Sequence, residues 1–352
     1  MRVTVVPASA LTADDDSRWS AIQGANPSLD SACFCPEFTR AVAAVYDDVR
    51  VALVDQDGER VGYFPFQRSR LGYGRAIGAG MSDFQGPIIR PDVAWDARAL
   101  VAACGLASWE FDHLVASLPP FASFQARVDE SPYMDLSSGF ETYRRSREQS
   151  GRRPFSTLAT LGRKLERDRG PVRVVLDTGD AAVFDRVIAW KSRKAEASGG
   201  RPMPRDEVAL LRAILATRTE RFSGMLSALF VGDELAAAHM GMRSRTVWHY
   251  WFPAYSAEWS RYSPGLLLLL RMAEAAPSIG VRRIDLGKGG EEYKLRLMSG
   301  ALRVAEGSVT VPSLAASARA GARALAAGVR SLSIGERLRA RGRRVQRFWR
   351  PS

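Results

Sequence analysis

The chain has 352 residues, 46% of them hydrophobic and 25% charged, which supplies more than one core and exceeds the usual length of a single domain. Three cysteines exclude a disulfide framework, and the opening MRVTVVPASALTADDD lacks the pattern of a secretory leader, so a reducing, cytoplasmic setting is expected. The formal charge of +12 invites a nucleic-acid reading, but ten arginines against one acid, Glu336, in residues 312–352 account for +9 of it, and the rest is nearly balanced.

Taken in chain order, a short strand and a polar stretch come first. PEFTRAVAAVYDD then has helical spacing, with Phe38, Val42 and Val45 on one face. VRVALVDQDGERVGYFPFQRSR reads as a hairpin of β-branched and aromatic strands turning at Asp57-Gly58. A glycine-rich stretch (LGYGRAIGAGMSDFQGPII) leads to a helix over residues 96–106 and to strands in WEFDHLVA and SPYMDL. From Gly139 the chain turns arginine-rich and predicts helix, turn, helix, then the strand VRVVLDTG. Two helices follow, AAVFDRVIAWKSRKAEA and RDEVALLRAILATRTE. MLSALFVGDELAAAHMGMRSRTVWHYWFPAY repeats the strand–turn–strand device with a Gly-Asp turn. SPGLLLLLRMAEAAPSIG is a helix with proline in its first turn, and VRRIDLG and GSVTV are late strands. The recurrence of the hairpin device suggests an internal duplication. Mixed sheets flanked by helices make the fold class α/β (α+β), with expected divisions at 1–138, 139–311 and 312–352.

Two stretches carry chemistry. In YSAEWSRYSPGLLLLL a strand gives way to a helix opening at Ser263-Pro264-Gly265. A helix start offers unpaired N–H groups and positive potential, and Gly265 admits a phosphate while Arg261 adds charge, which suits a pyrophosphate. In IDLGKGGEEYKLRLMSG a strand ends in a glycine turn bearing Lys288, with Tyr293 and Lys294 just beyond. The residues after Lys288 exclude a Walker loop, which needs Gly-Lys-Ser/Thr opening a helix. Lysine there would stabilise an oxyanion and tyrosine would protonate a leaving group, although a solvated basic turn has the same appearance. Cys33-x-Cys35 has no second pair to complete a metal site, so no metal is expected. His239 and His249 fall in strand-like runs and read as core histidines, while Lys191 and Lys194 read as a solvated helix face able to steer an anionic acceptor.

The tail has Leu314, Ala318, Leu325, Val329 and Leu332 near helical spacing, with Arg323, Arg330, Arg337 and Arg344 seven apart on another face. That pattern suits peripheral contact with an anionic membrane surface, or else a frayed solvated helix.

YSPGLLLLLRMAEAAPSIGVRRIDLGKGGEEYKLRL resembles the signature of the BioF2-like acetyltransferase family, which includes proteins of the cellulose-biosynthesis CelD/BcsL type: SPG, a leucine-rich helix, a D-x-G-x-G turn and YK. Weaker counterparts extend from Cys33 to Val311 and include SDF at residues 82–84. The resemblance implies two tandem GNAT-like domains, akin to Fem-type aminoacyl transferases, and acetyl-CoA or another acyl-CoA as co-substrate. It assigns Arg261, Ser263, Gly265, Gly287, Lys288 and Gly289 to the donor and Asp285, Tyr293 and Lys294 to the reactive end, and it brings Asp83 to the acceptor. Lys288 departs from the arginine usual in the family's turn and loses the bidentate fork. The implied activity is acyl transfer to a small-molecule or saccharide acceptor of envelope or exopolysaccharide synthesis. Fem-like transfer from aminoacyl-tRNA and a catalytically silent membrane scaffold are the alternatives, and nucleic acid is disfavoured by the balanced body. Glu291, Glu292, Asp83 and His249 remain open as general base.

Overall fold

The structure, a computed structural model, describes residues 1–78, 80–149 and 154–312. In chain order the elements are β1 (Arg2–Pro7), α1 (Ala13–Gly24), α2 (Pro36–Ala43), β2 (Val49–Gln56), β3 (Glu59–Arg68), β4 (Tyr73–Arg75) and β5 (Ile88–Ile89). Next come α3 (Ala97–Ala103), β6 (Ser108–Val115), β7 (Gln125–Asp135), α4 (Phe140–Gln149), α5 (Pro154–Arg169), β8 (Val172–Val175), α6 (Ala181–Ala197) and α7 (Arg205–Ala216). The series closes with β9 (Phe222–Val231), β10 (Glu234–Ser244), β11 (Val247–Tyr255), α8 (Pro264–Ala275), β12 (Arg283–Asp285), α9 (Glu292–Leu297) and β13 (Gly300–Thr310). The expected basic tail lies, from residue 313 on, outside the described residues. Among the described residues no helix is long and apolar enough to cross a membrane.

Local chemistry explains most of these elements. The β2–β3 turn has Asp57 and Gly58 both at positive φ (52° and 85°), the conformation whose twist matches the flanking strands. α1, absent from the sequence reading, starts with a capping box in which Thr12 Oγ1 accepts from the Asp15 amide and Asp15 accepts from the Thr12 amide. α6 starts at Asp180, whose carboxylate accepts from the Ala182 amide at 2.8 Å.

The chain forms two compact units, and neither is continuous in sequence. The first comprises Met1–Asn26, Tyr46–Val128 and, among the described residues, Val304 onward; the second comprises Pro27–Val45 and Asp129–Arg303. The linear break expected at 138/139 therefore differs from this division: the cut falls within β7, segment 27–45 joins the second unit, and β13 returns to the first.

Each unit builds a mixed, mostly antiparallel sheet with the same succession of pairings. In the first the order is β1-β2-β3-β4-β6-β13, with β5 on β3; only β4–β6 is parallel. In the second the order is β8-β9-β10-β11-β12-β7, and only β11–β12 is parallel. A helix carries each parallel crossover, α3 in the first unit and α8 in the second. This shared succession is what an internal duplication predicts.

The first core is aromatic, with Phe64, Phe66, Trp109, Phe111 and Phe121 packed together. Past β4 its sheet is sealed by the chain itself. The Gln85 amide donates to His113 O at 2.9 Å, the Val115 amide donates to Gln85 O at 3.1 Å, and the Gln85 side chain binds Asp112 and the Asp112 and His113 amides. α3 starts at Asp96, whose carboxylate accepts from the Ala99 amide at 2.7 Å.

The second core packs Leu268, Leu269 and Met272 of α8 with Trp248, Tyr250, Leu229 and Ile284, and Tyr293 lies against it. Unlike the first, it encloses His239, His249, Asp285 and Lys294, each with 0% exposure.

Candidate active site

Within the second unit, β11 and β12 run parallel only from Val247↔Arg283 to His249↔Asp285, while β11 continues on β10 without β12 as far as Tyr255. The strands therefore part at their C-terminal ends, the place where open α/β sheets bind ligands. A bulge lies just past the parting point. Met242 pairs with His249 and Met240 with Phe252, so Tyr250 and Trp251 together face Gly241. The Trp251 amide donates to His239 Nε2 at 3.1 Å, and the His239 ring stacks on Tyr250 with centroids 4.8 Å apart. Gly241 is obligatory here: a Cβ would lie 2.4 Å from His249 O and 2.5 Å from His239 Cε1.

β11 leads through a 3₁₀ turn, Ala257–Tyr262, into α8. Ser263, the N-cap, sits in the left-handed region at φ 52° and makes no side-chain cap. Pro264 has no N–H, and Ser263 O already receives the Leu266 and Leu267 amides at 3.0 and 3.1 Å. The Gly265 amide is thus the donor that the helix start offers, at the positive end of its dipole. Tyr250 Oη donates to Gly265 O at 3.1 Å, tying the bulge to this start. Arg261 is exposed, stacks on Tyr262 and bonds its hydroxyl, which in turn donates to Asp168 at 3.1 Å.

The turn after β12 is tightly built. Asp285 accepts from the Gly287 amide at 2.9 Å and from Ser131 Oγ at 3.1 Å. Lys294 Nζ donates to the carbonyls of Gly287 and Lys288, both at 3.1 Å, and pairs with Glu291 at 3.0 Å. Gly287 and Gly289 have φ of 77° and 135°, a region closed to most side chains, and a Cβ on Gly289 would lie 2.5 Å from Glu291 Oε2. Lys288 pairs with Asp129 at 3.1 Å. Lys294 and Asp285 therefore hold the turn's shape, and Lys288 is committed to a carboxylate.

Tyr293 is half-buried. Burial, with Tyr250 and Glu291 nearby, raises its hydroxyl well above the usual tyrosine range, which keeps it a proton donor. The two histidines are core residues, as strand positions suggested. His249 Nε2 lies 2.9 Å from Ser31 Oγ, and its Nδ1 is 3.9 Å from Asp285 Oδ1. Burial, aided by Lys191 for His239 and by Arg283 for His249, lowers each to about 3, so both are neutral near pH 7.

The expected site residues thus fall into three groups. Ser263, Gly265 and Arg261 meet at the α8 start, whereas Asp285, Gly287, Lys288, Gly289, Tyr293 and Lys294 meet at the turn. Asp83 belongs to the first unit, half-buried in the loop two residues before Gln85. The solvated-face reading holds for exposed Lys194 but not for Lys191, which is half-buried with its Nζ 5.7 Å from the Phe252 ring centroid. Sequence reasoning missed the role of His239 at the bulge, although a histidine two residues before a glycine in a strand hints at a local irregularity. Cys33, Cys35 and Cys104 are buried free thiols.

Residues 152–295 match the family described as Acetyltransferase (GNAT) domain, a span containing the parting strands, the α8 start and Lys294. No curated protein matches the chain. Among solved structures, FemX is 10% identical over 88% of this chain and 96% of its own, with a TM-score of 0.56. The C-terminal domain (DUF2156) of a protein assigned as lysylphosphatidylglycerol synthetase from Agrobacterium fabrum is 17% identical over 89% and 97%, with a TM-score of 0.51. A tandem GNAT protein from the clavulanic acid biosynthesis pathway is 12% identical over 89% and 100%, with a TM-score of 0.49. The first two likenesses concern the fold alone. Residues 152–295 are thus similar to a GNAT acetyltransferase domain, within an α/β fold of two units that share one succession of strand pairings. The narrower BioF2-like assignment rests on the sequence signature.

Proposed function

We propose that the protein is an acyltransferase that moves an acyl group, acetyl in the simplest case, from coenzyme A to an amine or hydroxyl of a saccharide or other cell-envelope precursor. The observation that carries this reading is the parting of β11 and β12 beside an uncapped α8. The diphosphate would take the Gly265 amide and the helix dipole, with Arg261 at its edge. The acyl arm would then run between the strands toward the bulge at Tyr250 and Trp251, and toward Tyr293. Attack by the acceptor forms the new acyl bond and breaks the C–S bond, and the Tyr293 hydroxyl would be the acid for the departing thiolate. The enzyme's contribution is mainly placement. The tail would give peripheral contact at the inner face of the membrane.

A second reading, Fem-like transfer from aminoacyl-tRNA, draws on the exposed basic run of α5: Arg163, Lys164, Arg167 and Arg169. Melting experiments separate the two. A donor that binds only the native state at a hundredfold over its Kd adds about 2.7 kcal/mol of stability. A raised Tm with acetyl-CoA supports the first reading; a response to charged tRNA and none to acetyl-CoA replaces it with the second.

A further inference from the structure

The likeness between the units extends to a short motif that acyl transfer does not use. Arg68-Ser69-Arg70 stands at the end of β3, and Arg243-Ser244-Arg245 stands at the end of β10. Each leads into the strand that enters the parallel pair, β4 on β6 and β11 on β12. The serine closes the turn in both: Ser69 Oγ accepts from the Tyr73 amide at 3.1 Å, and Ser244 Oγ accepts from the Val247 amide at 3.0 Å.

Beyond the serine the two turns diverge. Only residues 245 and 246 separate β10 from β11, and Arg245 is paired with Glu220 at 2.8 Å. Between β3 and β4 lie four residues, 69–72, which include Leu71 and Gly72. Gly72, at φ 76°, takes the chain back, its amide donating to Ser69 O at 3.0 Å. Leu71 is left 66% exposed, more than any other large hydrophobic side chain among the described residues. Arg68 and Arg70 are exposed as well, and among the described residues neither has an ion pair.

This tip is firmly mounted. The Ser69 amide donates to Tyr73 O at 2.8 Å, and Gly72 O accepts from the Ala107 amide at 2.8 Å. The Arg68 guanidinium lies 3.6 Å from where a Cβ on Gly105 would stand. The acid beside the pair, Asp48, meets Arg75 at 3.6 Å and accepts from Gln67 at 2.7 Å. A leucine held in water by a built turn adds nothing to the fold's own burial.

We propose that the β3–β4 turn of the first unit is a contact for an anionic lipid surface, Leu71 entering the acyl boundary while Arg68 and Arg70 meet headgroup phosphates. An aliphatic tip flanked by arginines matches both layers of such a surface: the leucine gains from leaving water, and each arginine gains from the negative potential. Nucleic acid would favour stacking rings in place of an aliphatic chain. The inference is independent of the acyl-transfer reading and uses none of the tail residues.

The test keeps the full chain and reads the tip itself. Leu71→Cys offers a reactive thiol, because Cys33, Cys35 and Cys104 are buried, and it is labelled there with an environment-sensitive nitrobenzoxadiazole. Vesicles of phosphatidylcholine mixed equally with phosphatidylglycerol should shift its emission to the blue and brighten it; phosphatidylcholine alone should not. At about 1 M salt, where the Debye length is about 3 Å, the change should reverse. In the labelled chain Arg70→Gln should weaken the vesicle titration about fivefold, whereas Arg245→Gln, at the matching place in the second unit, should leave it unchanged. In the unlabelled chain Leu71→Ser should lower vesicle affinity about tenfold.

A chain that sediments with anionic vesicles while its probe stays in water overturns this contact and leaves the tail as the anchor. Equal losses from Arg70→Gln and Arg245→Gln overturn it too, as does a probe that answers to polyuridylate in place of vesicles. Absence of vesicle binding overturns both membrane contacts. None of these outcomes touches the acyl-transfer reading, which is judged by the Tm response to acetyl-CoA.

Discussion

The two units share one succession of strand pairings and differ at the two positions where a donor would bind. In the first, the space past β4 is occupied by Gln85 and its bonds to β6, and the crossover helix α3 begins with a carboxylate already seated on the Ala99 amide. In the second, β11 runs on unpaired with β12, and the crossover helix α8 begins at a serine that caps nothing. A helix start occupied by its own anion repels a second one. One frame can therefore serve as scaffold or as site, depending on a few side chains at the crossover. The cores differ to match: aromatic packing in the first, buried ionisable groups in the second.

Four experiments would break or sharpen this contrast. The largest effect is expected at Lys294. Lys294→Met strips two carbonyls and Glu291 of a buried cation, which should cost about 3–5 kcal/mol in urea unfolding together with most turnover. A loss below about 1 kcal/mol would mean that the turn stands without it.

Gly265→Asp sets a carboxylate at the α8 start, two positions beyond the N-cap place that Asp96 holds on α3. Calorimetric titration with acetyl-CoA should show affinity down about a hundredfold, equivalent to about 2.7 kcal/mol, and wild-type binding of one donor per chain. Two donors per chain would remove the distinction between the units.

Acid should act on the second unit first. His239 and His249 stay neutral in the folded state down to about 3, whereas unfolded histidine takes its proton near 6.5. Their contribution is complete above about pH 6.5 and declines as the pH falls toward 3. Hydrogen exchange followed by mass spectrometry should find β10 and β11 losing protection before β3 and β6, and simultaneous loss would contradict this.

The smallest effect is expected at Asp96. Asp96→Ala should lower stability by about 1 kcal/mol through loss of the cap, with the acetyl-CoA response unchanged.

Much of this was legible in the chain because local chemistry dictated it. Asp57-Gly58 marks its own hairpin, and α6 coincides with AAVFDRVIAWKSRKAEA because Asp180 caps it and apolar residues recur along one face. Gly287 and Gly289 could be singled out because their backbone angles restrict residue type, and Ser263 and Gly265 because serine-proline-glycine marks a helix start. α1 escaped because three aspartates in its first turn mask its weak periodicity, even though Thr12 and Asp15 form the capping signal. β4 and β5, three and two residues long, were lost among glycines. The interleaving of the units could not be read, since β6 pairs with β13 across nearly two hundred residues. The burial of Lys191 could not be read for a related reason: in WKSRK the lysine against Phe252 and the exposed lysine carry the same letter.

The return of β13 to the first unit constrains how the protein is made. β6 bonds β4 on one side and β13 on the other, and the β13 partners, Val304–Thr310, are among the last described residues to leave the ribosome. Until then a nascent chain carries a half-satisfied strand edge, a template for association with its neighbours. A fragment cut after residue 138 would keep that edge permanently, and should be recovered as aggregate unless a peptide spanning 300–310 is supplied in trans.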